Sequence, residues 1–406
     1  MKLNYHKYYC DETNMMSVYR HYILGLCVDK RILKRPDFVP TSSEEKKQIL
    51  IVKTDSIGDY FLIRNFWEII RSSKKYKNAE ITLIASSAIR GIPEFLDSNH
   101  LKQIFYVPHP FWLKSNAEKF KLLEHLFQCG LKRQYDAILF PNFNVFNFLD
   151  FNIMLTCSIA SQETITTMGE IDPGDRSTLS KFYHFSRIIP SYSGKDTFEF
   201  ENNKVFFENV IQESIPDKSP SIKLTKSKRN ICVINPCAQE KLRCWHPNNY
   251  AKLIGEILAR GLQVTLIGGS SDKEILKEIN NLSGGKCQIS ANAAWPKIIH
   301  LINDSTLYIG NDSGTFHLAA ALGVPTICIS GGMSWQRFLN YPKLPHVRVA
   351  IDNCTEIWIK QMLKESRYRS HSLDFTGNVN TVPVSLVIRH IDELIGESVN
   401  FTLGES

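Results

Sequence analysis

Two strand-to-helix junctions constrain this chain more than any other feature of it. The first is Ile49-Leu50-Ile51-Val52-Lys53-Thr54-Asp55-Ser56-Ile57-Gly58-Asp59-Tyr60, an apolar run that ends in a glycine-containing turn and places a carboxylate where a helix starts. The second runs from Gly310 to Pro325, where the polar turn Gly310-Asn311-Asp312-Ser313-Gly314 opens an apolar helix that reaches Leu322. A helix start leaves backbone N–H groups without intrahelical partners and carries the positive end of the dipole, so the second junction suits an anion, and a phosphate above all. An acidic junction and a phosphate-seeking one, far apart in the chain, point to transfer chemistry between two domains.

Each junction sits in a series of alternating strands and helices. In the first series strands are expected from Ile49, at Glu80 to Ala85, Gln103 to Val107, Asp136 to Phe140 and Glu163 to Met168, with helices at Asp59 to Ser72, Ser87 to Leu96 and Ala117 to Leu131. The second series restarts with strand Asn230 to Asn235 and a helix that opens at Pro247 and stops at Gly261, the usual proline-start and glycine-stop asymmetry. It continues with strand Gln263 to Ile267, helices Asp272 to Leu282 and Trp295 to Ile302, strands Thr306 to Ile309 and Thr326 to Ser330, and a terminal helix from Val384 to Leu394. Such alternation implies parallel sheets, one per half. The polar segment Glu213 to Pro220, twice broken by proline, places a hinge near 205 to 230.

At 406 residues the chain has room for two domains, and 43% hydrophobic with 22% charged residues is a soluble globular composition. No apolar run approaches the roughly 20 residues that a membrane-spanning helix needs, and the N-terminus lacks the apolar core of a signal peptide, so a cytoplasmic location is expected. Ten cysteines without a C-x-x-C pair read as buried thiols, not as disulfides or zinc ligands. The net charge of +7 favours anionic substrates in general, while the lack of zinc-finger spacing or an RNA-recognition signature argues against nucleic acid as a partner. Within residues 1–48, Met15, Tyr19, Tyr22, Ile23, Leu26 and Cys27 recur at helical spacing ahead of Lys30, Arg31, Lys34 and Arg35. This helix fits either packing on the body of the protein or peripheral contact with the inner face of an anionic membrane.

The two junctions together resemble the motifs of glycosyltransferase family nine, the ADP-heptose:lipopolysaccharide heptosyltransferases. The family pattern K-T-S-S-x-G-D is answered by Lys53 to Asp59, and D-[TS]-G-x-x-H-[LI]-A-A-A-x-x-x-P by Asp312 to Pro325. The resemblance implies an α/β protein of the GT-B type, with two Rossmann-like domains facing a central cleft. Its parts are an extension at 1–48, an acceptor domain at 49–215, a donor domain at 225–383, and a terminal helix and tail at 384–406. It implies an inverting enzyme that moves a sugar from a nucleotide sugar, by analogy ADP-heptose, onto a glycan or lipid-linked acceptor, without a further cofactor. The same build with another nucleotide sugar, for capsule, O-antigen or protein glycan, and a non-catalytic nucleotide-sugar-binding protein are the alternatives.

The candidate residues follow from both sources. Asp59 is the candidate base for the acceptor hydroxyl, held ionised by its helix start, although an aspartate there also serves as a cap. Lys53, Asp55, Ser56 and Gly58 shape its loop, and Asp55 stands where the family has serine. Ser313, Gly314 and Thr315 offer N–H and hydroxyl donors to the departing diphosphate, His317 adds a hydrogen bond or a positive charge, and Asp312 fixes the turn. Arg243, two residues before Trp245, inherits from the family a forked clamp on the diphosphate, with Lys241 competing for it. Asp272 and Glu274, after the strand that ends at Ile267, qualify either for the ribose hydroxyls or as first-turn acids. Gly331 and Gly332 occupy the position of a family donor loop, followed by the aromatic set Trp335, Phe338 and Tyr341. No D-x-D pair for a nucleotide-bound divalent metal is present, which favours metal-free transfer.

Overall fold

The computed structural model describes residues 37–40, 45–108, 116–131, 133–141, 155–156, 158–168, 185–190, 197–227, 229–333, 335–341, 344–365 and 377–403. The amphipathic pattern of Met15 to Arg35 lies outside them. Strand β1 (Gln48–Lys53) is an almost unbroken apolar run because both of its faces are covered, and five of its six residues are buried. It lies in a parallel sheet with β2 (Glu80–Ser86), β3 (Leu101–Val107), β4 (Tyr135–Phe140), β5 (Ser161–Met168) and β6 (Arg187–Pro190), in the order β3-β2-β1-β4-β5-β6. The second sheet contains β7 (Ile231–Asn235), β8 (Gln263–Gly268), β9 (Gln288–Ala291), β10 (Leu307–Asn311), β11 (Thr326–Ile329) and β12 (Val347–Ala350), ordered β12-β11-β10-β7-β8-β9 and again parallel. Both are the same doubly wound order, and in both the strand order reverses beside the first strand, between β1 and β4 and between β7 and β10. Ligand crevices form outside the strand ends at such reversals. Both sequence junctions are found there, one after β1 and one after β10.

The expected long helix from Asp59 to Ser72 is two helices, Ile57–Ile63 and Phe66–Ser72. The break falls at Arg64 and Asn65, whose side chains bond distant parts of the chain: Arg64 holds Asp97 (Nη2 to Oδ1, 2.8 Å) and donates to the Ser221 carbonyl (3.0 Å), which also accepts from Asn65 Nδ2 at 2.9 Å. The linker beyond Ser221 is fastened to the second half by the Ile222 N–H, which donates to Ala321 O at 2.7 Å. The terminal helix, Val384–Leu403, packs on the second half, against helix Pro247–Ala259 and strands β11 and β12. Val387, Ile391 and Leu394 are buried in the core of the second half, where Arg260 meets Asp392 at 3.1 Å. Helices Glu199–Ile211 and Asn353–Lys364 and strands β6, β9 and β12 are additional to those expected.

Candidate active site

Helix Ile57–Ile63 of the first half and helix Gly314–Ala321 of the second pack start against start. A Cβ on Gly314 would lie 2.5 Å from Ile57 Cγ2, and one on Gly58 would lie 2.6 Å from His317 Cδ2, so the two glycines let the helices approach at van der Waals contact. The two junctions of the sequence therefore meet, with Asp59 on one side and the 313–317 turn on the other.

Asp59 is partly buried. Its Oδ2 accepts the Ser56 N–H at 3.2 Å, so the carboxylate caps its own helix and keeps its other oxygen for a second partner. The sequence reading expects the helix start to hold this group ionised. Burial, followed by the charge of Asp55, outweighs the dipole of so short a helix and raises the carboxyl to about 7. Lys53, itself buried, reaches Asp55 Oδ2 at 2.8 Å and Pro141 O at 3.1 Å. Burial opposes the Lys53 charge, yet Asp55, Asp59 and Glu199 together raise its ammonium above the usual range. Asp55 Oδ1 and Thr54 Oγ1 are buried without a hydrogen-bond partner among the described residues.

On the opposite wall the Thr315 hydroxyl is the hub of a polar cluster: Asn235 Nδ2 donates to it at 2.6 Å, Tyr308 Oη lies 2.7 Å away and Ser313 Oγ 3.1 Å away. It is thus committed to shaping the turn, and the backbone N–H groups with Ser313 are what the turn can present to an anion. His317 is buried with Nδ1 2.7 Å from the Tyr341 hydroxyl. Burial lowers its imidazole to about 3, so His317 brings a neutral hydrogen-bonding ring, not the positive charge that the sequence allowed. Asp312 is buried against Arg243, whose Nη1 stands 3.5 Å from Oδ2; burial raises the Asp312 carboxyl and Arg243 counteracts it. Arg243 also faces Glu240 at 3.5 Å and is about a third exposed (31%). Lys241 is exposed on the turn before it.

Asp272 Oδ2 accepts the Gly269 N–H at 2.7 Å, and Glu274 pairs with Lys277 at 2.9 Å on an exposed helix face. Gly331 backs onto the Gly377 main chain, and the Gly332 N–H donates to Ser330 Oγ at 3.0 Å. Sequence reasoning passed over Glu199 and Arg337, a buried ion pair at 2.9 Å that joins the two halves, and over the polar hub residues Tyr308 and Asn235. The only sequence signal for the pair is an acid at a helix start and an arginine among aromatics, 138 positions apart.

Two doubly wound domains whose switch points face each other define the GT-B architecture. Residues 195–361 match the family model described as Glycosyltransferase family 9 (heptosyltransferase), so that domain spans the helix before the linker and most of the second half. Among curated relatives, lipopolysaccharide heptosyltransferase 3 of Escherichia coli is 26% identical over 187 residues, covering 43% of this chain and 49% of that protein. Lipopolysaccharide heptosyltransferase 2 of Salmonella typhimurium is 30% identical over 95 residues, 22% of this chain and 27% of that one. The matched part is thus half or less of these relatives' length. Among solved structures, the glycosyl transferase family 9 protein of Veillonella parvula superposes with a TM-score of 0.66 at 15% identity, over 88% of this chain and 99% of that one. E. coli heptosyltransferase WaaC with ADP-2-deoxy-2-fluoro heptose gives 0.62 at 15% identity, over 85% and 99%. These likenesses establish the fold. Among the described residues no helix is long and apolar enough to cross a membrane, and no group of three or more His, Cys, Asp or Glu side chains gathers as for a metal.

Proposed function

We propose that this protein is an inverting, metal-independent glycosyltransferase that moves a heptose from ADP-heptose onto a hydroxyl of lipopolysaccharide or a related glycan. The observation that carries the reading is the meeting of the two helix starts, which stands a carboxylate opposite an anion-seeking turn. The donor named in the WaaC structure and the names of the curated relatives supply the sugar. In a single in-line displacement the free oxygen of Asp59 takes the proton of the acceptor hydroxyl as that oxygen bonds to the anomeric carbon. The bond from that carbon to the diphosphate breaks, and its electron pair leaves on the diphosphate. The N–H groups of the 313–315 turn and the Arg243 guanidinium receive the charge, with the dipoles already oriented. One displacement inverts the configuration.

Cys237, Ala238 and Gln239, ahead of Arg243, offer no hydroxyl to a phosphate and favour a second reading in which the same machinery takes another nucleotide sugar. Melting scans with ADP-heptose and with other ADP-, UDP- and GDP-sugars, followed by mass spectrometry of glycan acceptors, separate the two. A higher melting temperature and one added heptose with ADP-heptose support the first reading. Response to a different donor alone replaces the sugar, and no response to any donor overturns the transferase assignment. Arg243→Ala is expected to lower kcat/KM by about 10²-fold, the usual cost of one donor to developing charge, with Arg243→Lys in between. Steady-state kinetics in donor concentration check it, and an unchanged Arg243→Ala value gives the clamp to another group.

A further inference from the structure

The segment Trp335–Tyr341 lies just beyond the Gly331-Gly332 loop, and Trp335–Leu339 forms a π-helical turn, with the Asn340 N–H donating to Trp335 O at 2.9 Å. Turns of this kind are rare and gather at functional sites. This one is gripped at two neighbouring points by the start of helix Glu199–Ile211 from the other half. Arg337 Nε donates to Glu199 Oε2 at 2.9 Å, with both side chains less than a tenth exposed, and the Phe198 and Tyr341 rings lie 4.6 Å apart. Tyr341 in turn meets His317 Nδ1 at 2.7 Å, and the His317 ring rests against Gly58, the residue before Asp59. A closed path therefore runs from the first half through the loop beyond β11 into the phosphate-receiving helix and back to the first half beside the base. Burial opposes the Glu199 charge, but Arg337 and Lys53 outweigh it and hold the carboxyl below the usual range, so the pair is a charged one. Replacing a buried ion pair by apolar groups of the same volume is often neutral or stabilising, so the directional hold of this pair is the property to test.

We propose that Arg337 and Tyr341 are positioning residues for the transfer, acting through Glu199 and His317 to fix the gap between the diphosphate-receiving turn and Asp59. The proposal rests on the transferase reading given above. Its test pairs Tyr341→Phe, which keeps the ring and removes the hydroxyl that orients His317, with the double variant Glu199→Leu/Arg337→Met, which fills the same volume without direction. Turnover, donor dissociation constant and melting temperature are measured on each. Tyr341→Phe is expected to lower kcat about tenfold, the scale of one oriented hydrogen bond, with donor affinity unchanged. The double variant is expected to keep the melting temperature and lose about 10²-fold in kcat, as a displacement on the order of an ångström does. Wild-type kcat in both variants overturns the positioning role, as does a kcat loss in the double variant that only tracks a fall in melting temperature while Tyr341→Phe turns over normally. Absence of turnover in the unsubstituted protein with every nucleotide sugar overturns the transferase reading, and this proposal with it.

Discussion

Asp59→Asn is expected to lower kcat by about 10² to 10⁴-fold while leaving donor binding intact, since that is the usual contribution of a positioned general base. The substitution is nearly isosteric, and the amide oxygen can still accept the Ser56 N–H that the carboxylate accepts at 3.2 Å. What is lost is the ability to take a proton. The carboxyl stands at about 7, so it is half ionised near neutrality and much more basic than an ordinary aspartate. As a base it works only when ionised. The rate of the unsubstituted protein should therefore climb as pH rises through about 7, where an unperturbed aspartate would have reached its plateau well below pH 6. Replacing Asp55 by the serine that the family carries removes a neighbouring negative charge and releases Lys53 to face Asp59. Both changes favour the ionised form, so the ascending limb of kcat/KM should move to lower pH. A limb that stays in place in Asp55→Ser assigns the shift to burial alone.

The same perturbation has an opposite consequence for stability. The folded-state value of about 7 lies above the ordinary value of 3.8, so the folded protein holds a proton in the interval where the unfolded chain has released it. The stability this contributes is complete below about pH 4 and is lost as pH rises through 7. An asparagine never ionises and escapes that loss. Asp59→Asn should accordingly melt higher than the unsubstituted protein at pH 8, with the difference shrinking toward pH 5. Thermal scans at the two pH values check this, and an equal melting temperature at pH 8 would mean that the carboxylate is solvated there. A residue that weakens the fold in the form that performs the chemistry is the usual signature of function set against stability.

The parts of this molecule that were legible in the sequence are those whose physics is local. β1 and β4 are apolar runs because they are buried on both faces, and both glycine-opened junctions were visible because a strand, a turn and a helix start follow one another within a dozen residues. β9 and β12 lie at the two edges of the second sheet, where Gln288–Ala291 and Val347–Ala350 are largely half-exposed and carry no apolar run to betray them. The division of the long first helix at Arg64 and Asn65 was hidden for another reason, since its cause is the distant Asp97 and Ser221. At the site, Asp59 and His317 were legible as positions but not in their charge. A dipole and a motif suggested an ionised aspartate and left His317 as either a hydrogen-bonding or a positively charged group, whereas the enclosure of both groups where the halves meet sets a half-protonated carboxyl and a neutral imidazole. Glu199 and Arg337 illustrate the limit, because each is unremarkable until the fold brings them to 2.9 Å.

Gly58→Ala should reduce kcat/KM by about 10²-fold, the scale of a displacement on the order of an ångström at a reacting centre, although helix propensity alone argues for the alanine by about 1 kcal/mol. Gly58 is inside the first turn of a helix, where alanine is the better residue in isolation. Its added methyl carbon would stand 2.6 Å from His317 Cδ2 and 3.1 Å from Nε2, well inside contact distance. The ring cannot swing aside cheaply. Tyr341 holds it at Nδ1, and the rings of Phe316 and Phe338 flank it at 5.0 and 6.1 Å. Nor can the neighbouring contact give way, because Gly314 already lies as tightly against Ile57. The remaining relief is separation of the two helix starts, which overpacking makes unfavourable by roughly 1–3 kcal/mol and which widens the gap that the transfer must cross. Placing Gly58→Ala in a His317→Ala background removes the obstacle and leaves the propensity. In that background the alanine should raise the melting temperature, and on its own it should lower it. If Gly58→Ala alone retains full kcat/KM, then close approach of these two helices is not what aligns the base with the leaving group.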